Sequence, residues 1–366
     1  MRPRQLVPLA VVAVAALAAT PVMARNIQAA NSYTVHSLVS DTGVDGSKID
    51  ANLVNGWGIT AGPTTPWWVA DNGTDTSTLY RGDGTIVPLV VSVPGGPTGT
   101  VFNTCPTTAF VVSSGAASGA ARFIFDNEDG EVRGWNPNVP AAGSTMTEVG
   151  AAADDGASYK GLAIGTVGSA CYLYAADFHN AKVDVYDASF TKQSWAGAFV
   201  DPGIPGGFAP FGIQNLNGMI FVTYAKQDAD AGDEIAGEGL GYVSAFGTDG
   251  SFLGRVASRD ALNAPWGLAW APLTDGHGNP GFGKFSGDLL VGNFGDGRIN
   301  AFAWTPDGWE ARGHLKTSNH HPLVIDGLWG IGFGNGFGSG PITTLYFAAG
   351  PDDEAHGLFG SVTFNQ

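Results

Sequence analysis

Positive charge is scarce in this chain. Only 14% of its 366 residues are charged, and 17 Lys and Arg stand against 33 Asp and Glu, for a formal net charge of −16. Such a surface repels phosphate backbones and anionic membranes, so nucleic acid is excluded as an expected partner. Cysteine is nearly absent too. Cys105 and Cys171, with no patterned histidine, make a poor zinc site; in an oxidising compartment they are expected to form one disulfide. There is no Gly-x-Ser-x-Gly, no His-Glu-x-x-His and no phosphate-binding loop, so no familiar nucleophile or metalloprotease signature is present. Past the N-terminus no apolar run approaches the roughly 20 residues a membrane span requires.

The N-terminus itself reads as a secretory signal peptide over residues 1–24. Arg2 and Arg4 precede an apolar stretch at 6–19, and Val22-Met23-Ala24 offers small residues for cleavage. Removing Arg2 and Arg4 leaves 15 bases against 33 acids, or −18. Residues 25–366 are then expected to form a single exported domain, periplasmic or extracellular, and monomeric. No linker of Ser, Pro or like charge divides it.

Glycine is abundant, at 55 residues with 21 prolines, and short apolar runs between Gly turns read as all-β. One phrase recurs six times. It appears as Asn55-Gly56-Trp57-Gly58-Ile59, Pro97-Thr98-Gly99-Thr100-Val101 and Tyr159-Lys160-Gly161-Leu162-Ala163. It returns as Pro210-Phe211-Gly212-Ile213, Pro265-Trp266-Gly267-Leu268 and Leu328-Trp329-Gly330-Ile331. Further strand-like runs follow each copy, giving about four strands per repeat, which is the pattern of a β-propeller. The glycines are expected where inner strands crowd the axis. Asp83-Gly84, Asp129-Gly130, Asp249-Gly250 and Asp307-Gly308 are read as the hairpin between the last two strands of a blade. The sixth repeat ends without an outer strand, and residues 33–39 are spare. The spacing therefore predicts a six-bladed propeller closed by an N-terminal strand pairing with the C-terminal blade.

Several phrases also resemble an uncharacterised family of exported bacterial propellers. They are Leu53-Val54-Asn55-Gly56-Trp57-Gly58-Ile59, Asp71-Asn72-Gly73-Thr74, Glu128-Asp129-Gly130 with Gly134-Trp135-Asn136-Pro137, and Ala225-Lys226-Gln227-Asp228-Ala229-Asp230. The resemblance implies a fold related to NHL-repeat and gluconolactonase-like propellers, without an established activity. A gluconolactonase-like mechanism would need a metal held by Glu, Asn and Asp around the channel. Here Asn55 stands where those enzymes usually present Glu.

The blade register sorts polar residues by face. Asn55, Asp71, Asn72, Lys160, Asn180, Asn293 and Asp326 are assigned to a ligand-binding rim. Asp177, His179, His321 and His356 are the candidates for catalysis there. Asp228, Asp230, Asp233 and Glu234, in a long loop at 226–239, are a candidate metal set; the ion is open between Ca²⁺ and another divalent cation. That loop is long enough to act as a lid or partner contact. Residues 126–130, by contrast, are read as a structural turn away from the axis, and His36, His277 and His314 as packing or solvated residues. Three classes of function fit these features. The first is an envelope module binding a small molecule, glycan or protein; the others are a metal-dependent hydrolase or lyase and a structural role.

Overall fold

The computed structural model describes residues 30–365. The expected signal peptide, 1–24, lies outside the described residues. Among the described residues no helix is long and apolar enough to cross a membrane.

Six sheets are arranged as blades, each ordered from an inner strand outward, and their strands pair antiparallel except for the short parallel pairing of Tyr33–Ser40 with Lys48–Ile49 at the edge of the last blade. The inner strands are Gly56–Thr60, Pro97–Phe102, Tyr159–Val167, Phe208–Leu216, Pro265–Trp270 and Leu328–Phe333. Each belongs to one copy of the repeated phrase. A side chain is sterically excluded at the glycine of that phrase. A Cβ on Gly58 would lie 2.5 Å from Thr98 O, on Gly267 2.5 Å from Trp329 O, and on Gly330 2.6 Å from Trp57 O. Gly99, Gly161 and Gly212 face the next inner strand in the same way. Every blade thus touches its neighbour backbone to backbone through its glycine, and Gly330 meets blade one to complete the ring.

The ring is also closed through the last sheet. Leu328–Phe333, Leu345–Ala349 and Leu358–Phe364 are followed in space by Tyr33–Ser40, which pairs antiparallel with Leu358–Phe364 from Tyr33↔Phe364 to Ser40↔Leu358. Tyr33 fixes this strand: its ring is buried against Phe282 and Phe285, and its hydroxyl donates to Phe282 O at 2.9 Å. Burying one large aromatic side chain and satisfying its hydroxyl favours this register over a one-residue slip. Cys105 and Cys171 form a disulfide between blades two and three.

Two local expectations need correction. Asp129-Gly130 does not join the last two strands of blade two. It joins the second strand, Phe123–Asn127, to the third, Glu131–Trp135. An additional hairpin, Val111–Ser114 with Ala117–Ala120, is inserted between the inner and second strands and shifts the strand count. Residues 126–130 therefore lie on the same rim as the entry loops, not away from the axis. In blade three the outer strand is short: only Lys192–Gln193 pairs, and Gly197 has φ +78°.

Candidate functional site

The residue before each inner-strand glycine occupies an equivalent place in its blade: Trp57, Thr98, Lys160, Phe211, Trp266 and Trp329. Four of these are aromatic and pack together across the axis. Trp329 stacks on Trp57 at a centroid distance of 3.5 Å and on Phe294 at 4.0 Å, while Trp266 meets Trp57 edge-on at 6.2 Å. Two indole N–H groups are satisfied by the chain: Trp329 donates to Asn55 Oδ1 at 3.1 Å and Trp266 to Lys160 O at 2.7 Å. The Trp57 Nε1 is buried without a partner. Toward the opposite face, a cavity of about 370 Å³ opens between the far ends of the inner strands.

Lys160 is the one ionisable residue among the six. Its ammonium lies 5.3 Å from the centre of the Trp57 ring and is almost wholly buried. It pairs with Glu128, carried by the second-to-third strand turn of blade two, and with Asp233 at 3.3 Å, from the long loop of blade four. Glu128 Oε2 accepts from Asn72 at 2.9 Å, and Asn72 Oδ1 accepts from Asn55 at 3.3 Å. Asn55 also donates to Glu354 Oε2 at 2.5 Å. A continuous polar network thus runs from blade six through blades one, two and three to blade four.

The loop that delivers Glu354 holds an unusual backbone. Asp352, Asp353 and Glu354 all have positive φ, at 58°, 50° and 66°, and Asn55 has 47°. Non-glycine residues in the left-handed region cost about 1–3 kcal/mol each and concentrate at functional positions.

Burial dominates the electrostatics of this cluster. It pushes Glu234 up to about 7, against a smaller opposing pull from Lys160. Burial also raises Glu354; the Asn55 donor and Lys160 work against the shift, whereas Glu128 and Asp233 add to it. Burial pulls Lys160 down, but Glu128 and Asp233 outweigh it and leave the amine above its usual range. Lys160 is therefore a fixed cation, surrounded by Glu128, Asp233, Glu234 and Glu354. Among the described residues, neither Glu234 nor Glu354 has a cation within ion-pair distance.

The residues singled out in the sequence separate into groups. Asn55, Asn72, Lys160, Asp233 and Glu234 converge on the axis. Asp71 is buried, accepting from Thr76 and Thr78 at 3.3 and 3.2 Å, and burial raises its pKa. Asp177 and Asn180 bond each other at 2.9 Å. Asn293 donates to Ala261 O at 2.8 Å, and exposed Asp326 accepts from Asp352 N at 3.0 Å. Asp228 holds its own loop by accepting from Gly232 N at 2.9 Å, and Asp230 is exposed. The three candidate histidines are dispersed. His179 is exposed with Nδ1 3.2 Å from Ala231 O; His321 is exposed in a hairpin between blades five and six. His356 pairs with Asp41 at 2.7 Å, and that hydrogen bond raises its pKa.

Two axial residues escaped the sequence reading. Glu128 was assigned to a turn away from the axis, and Glu354, two residues before His356, was passed over. The available signal was Lys160 itself, a cation in a slot filled mainly by aromatics.

The donor set does not fit a divalent ion on the axis. Glu128 and Asp233 are engaged by the Lys160 ammonium, so a dication bound there would meet a fixed positive charge. Among the described residues the group of three carboxylates that does converge is Asp155, Asp177 and Asp184. There Lys182 lies 2.5 Å from Asp155, and Lys192 2.6 Å from Asp184, supplying the countercharge.

Fold and site together define a closed six-bladed β-propeller with an acidic, lysine-centred site on its axis. The chain belongs to one family with two uncharacterized proteins of Acanthamoeba polyphaga mimivirus. It is 30% identical to one of them and 32% identical to the other, over 354 residues each. Each alignment covers 93% of this chain, and 82% and 88% of those proteins respectively. No family model matches the chain. Among solved structures, it is similar to the soluble aldose sugar dehydrogenase of Escherichia coli (TM-score 0.51, 13% identity, 91% of this chain and 100% of that one). It is also similar to a streptogramin B lyase (TM-score 0.50, 13% identity, 91% and 97%). At such identity the likeness establishes the fold alone.

Proposed function

We propose that the protein is a ligand-binding propeller whose axial site takes a small organic cation bearing an amine or ammonium group. The observation that carries this reading is the imbalance at the axis. Four carboxylates surround one buried ammonium, and the two raised ones, Glu234 and Glu354, have no cation of their own. Desolvated, unneutralised carboxylates attract a cation more strongly than exposed ones do. Left-handed backbone at 352–354 fits a loop held for a task rather than for its own stability.

An exported setting accords with this reading. The disulfide is of the kind that persists in oxidising compartments, and the N-terminal sequence has signal-peptide character. The test is a thermal-shift and calorimetric screen of the full chain against the monocations choline, ethanolamine and tyramine, with citrate and glucose 6-phosphate as anionic controls. Binding of one or more cations, weakened at least tenfold by Glu354→Gln or Glu234→Gln, supports the reading. Preference for the anions overturns it.

A second reading, hydrolase or lyase, rests on one observation. Glu234, near 7 beside the fixed charge of Lys160, has the poise of a general acid–base. Turnover of an ester, lactone or glycan that survives chelation and is lost in Glu234→Gln would favour it.

A further inference from the structure

Basic side chains gather where blades three and four meet. Lys182 and Lys192 stand on blade three, and Lys226, Arg255 and Arg259 on blade four or just past its outer strand. Three of the five have carboxylate partners. Lys182 lies 2.5 Å from Asp155, Lys192 2.6 Å from Asp184 and Arg255 2.6 Å from Asp201. Among the described residues, Lys226 and Arg259 have no carboxylate within ion-pair distance, although the chain holds 33 acids against 17 bases. Asp228 and Asp260, the acids nearest them in sequence, pair with neither.

The two unmatched charges lie against the same ring. The Lys226 ammonium is 5.5 Å and the Arg259 guanidinium 6.0 Å from the centre of Phe208. Like charges held around one ring repel each other, and the chain supplies neither with an anion. Strand register places the pair on the rim. Phe208 opens the inner strand of blade four, opposite Lys226 near the end of the second strand, and Arg259 follows the outer strand.

The segment entering that inner strand is Pro205-Gly206-Gly207. A Cβ on Gly207 would stand 2.3 Å from Lys226 Nζ, and Gly207 has φ +79°, so this glycine admits both the turn and the ammonium. Among the described residues, the backbone N–H groups of Gly206 and Gly207 donate to no other group of the chain. Gly206 is exposed and Gly207 half-buried, and both border an open cavity of about 730 Å³.

We propose that this rim segment is a binding site for a phosphate group, carried by inorganic phosphate or by a small phosphate monoester. A guanidinium forks onto two phosphate oxygens, an ammonium adds a point charge, and free glycine amides supply donors at close approach. A phosphate dianion answers both cations, whereas a carboxylate carries charge for one. The bordering cavity leaves room for an ester's organic group. The site shares no residue with the Lys160 network, so it is a second, oppositely charged site on the same rim.

The experiment is calorimetry and ³¹P line broadening of the full chain with inorganic phosphate and glycerol 3-phosphate, with glycerol as the neutral control. Saturable binding of at least one phosphate compound and none of glycerol is expected. Tighter binding of the ester identifies an ester site, and equal or weaker binding of the ester identifies a site for the free anion. Lys226→Gln and Arg259→Gln should each weaken binding about tenfold, the loss of one charge-assisted hydrogen bond. The double variant should abolish binding while keeping the wild-type Tm within a few degrees. Lys160→Met, at the axis, should leave phosphate affinity unchanged. In the amine screen the anionic controls are read in the Lys226→Gln, Arg259→Gln background, so that the two sites are not confused. Failure of both phosphate compounds to bind overturns the proposal. So does binding that survives in the double variant or is abolished by Lys160→Met.

Discussion

The ammonium of Lys160 sits 5.3 Å from the centre of the Trp57 ring, although the two residues hold the same position in their respective blades. One blade contributes an indole to the axial plug, and another contributes a cation that reaches across the plug to Glu128 and Asp233. In Lys160→Met the side chain keeps most of its volume while the countercharge is lost. Because Glu128 and Asp233 are partly exposed and can recover water, the expected cost is about 1–3 kcal/mol, below that of a fully buried broken pair. Urea unfolding measures it. The same variant should gain a Ca²⁺-dependent rise in Tm that the wild type lacks, since four carboxylates would then surround a place without a cation.

The glycine ring makes a sharper structural prediction. At Gly330 a methyl group would stand 2.6 Å from Trp57 O, where backbone meets backbone and neither side can yield. Gly330→Ala should destabilise by about 3 kcal/mol, at the upper end of overpacking penalties. Gly206→Ala, where a methyl group meets nothing within 4 Å, should be close to neutral and serves as the matched control.

Asp126 ties stability to pH. It is fully buried and accepts from Gly99 N at 2.6 Å and from the Thr98 hydroxyl at 3.0 Å; burial outweighs these donors and pushes its pKa up to about 7. Between pH 4 and 7 the unfolded chain has released this proton while the folded chain retains it. Stability from this group is therefore complete below the unfolded pKa and is lost as pH rises through about 7. Asp126→Asn mimics the protonated acid. It should be more stable than the wild type at pH 8, by at most about 4 kcal/mol, with the difference vanishing near pH 4. Denaturant midpoints for both proteins across that range check it.

Most of the fold was legible because a repeated physical constraint leaves a repeated residue. Gly58, Gly99, Gly161, Gly212, Gly267 and Gly330 recur because each meets a neighbouring backbone, and the spare strand at Tyr33–Ser40 was needed to complete the last blade. The axial site was legible only in part. Blade register assigned Asn55, Asn72 and Lys160 to the rim, whereas Asp233 and Glu234 stood out only as acidic residues of the long loop at 226–239, in a candidate metal set. Glu128 was misplaced because the inserted hairpin at 111–120 shifts the register of blade two. Glu354 reaches the axis only through the left-handed backbone at 352–354, which no side-chain pattern announces. The histidines attracted attention as chemically versatile residues, but their loops hold them apart from the axis.

The measurement that bears most directly on the axial account is calorimetry of the full chain with a bound amine at pH 6 and pH 8. With Glu234 near 7, the ionised form that receives a cation rises from about one tenth to about nine tenths between these values. The account predicts affinity about tenfold higher at pH 8 and proton release on binding at pH 6, both lost in Glu234→Gln. Affinity that is flat across this range, or that falls as pH rises, would contradict it.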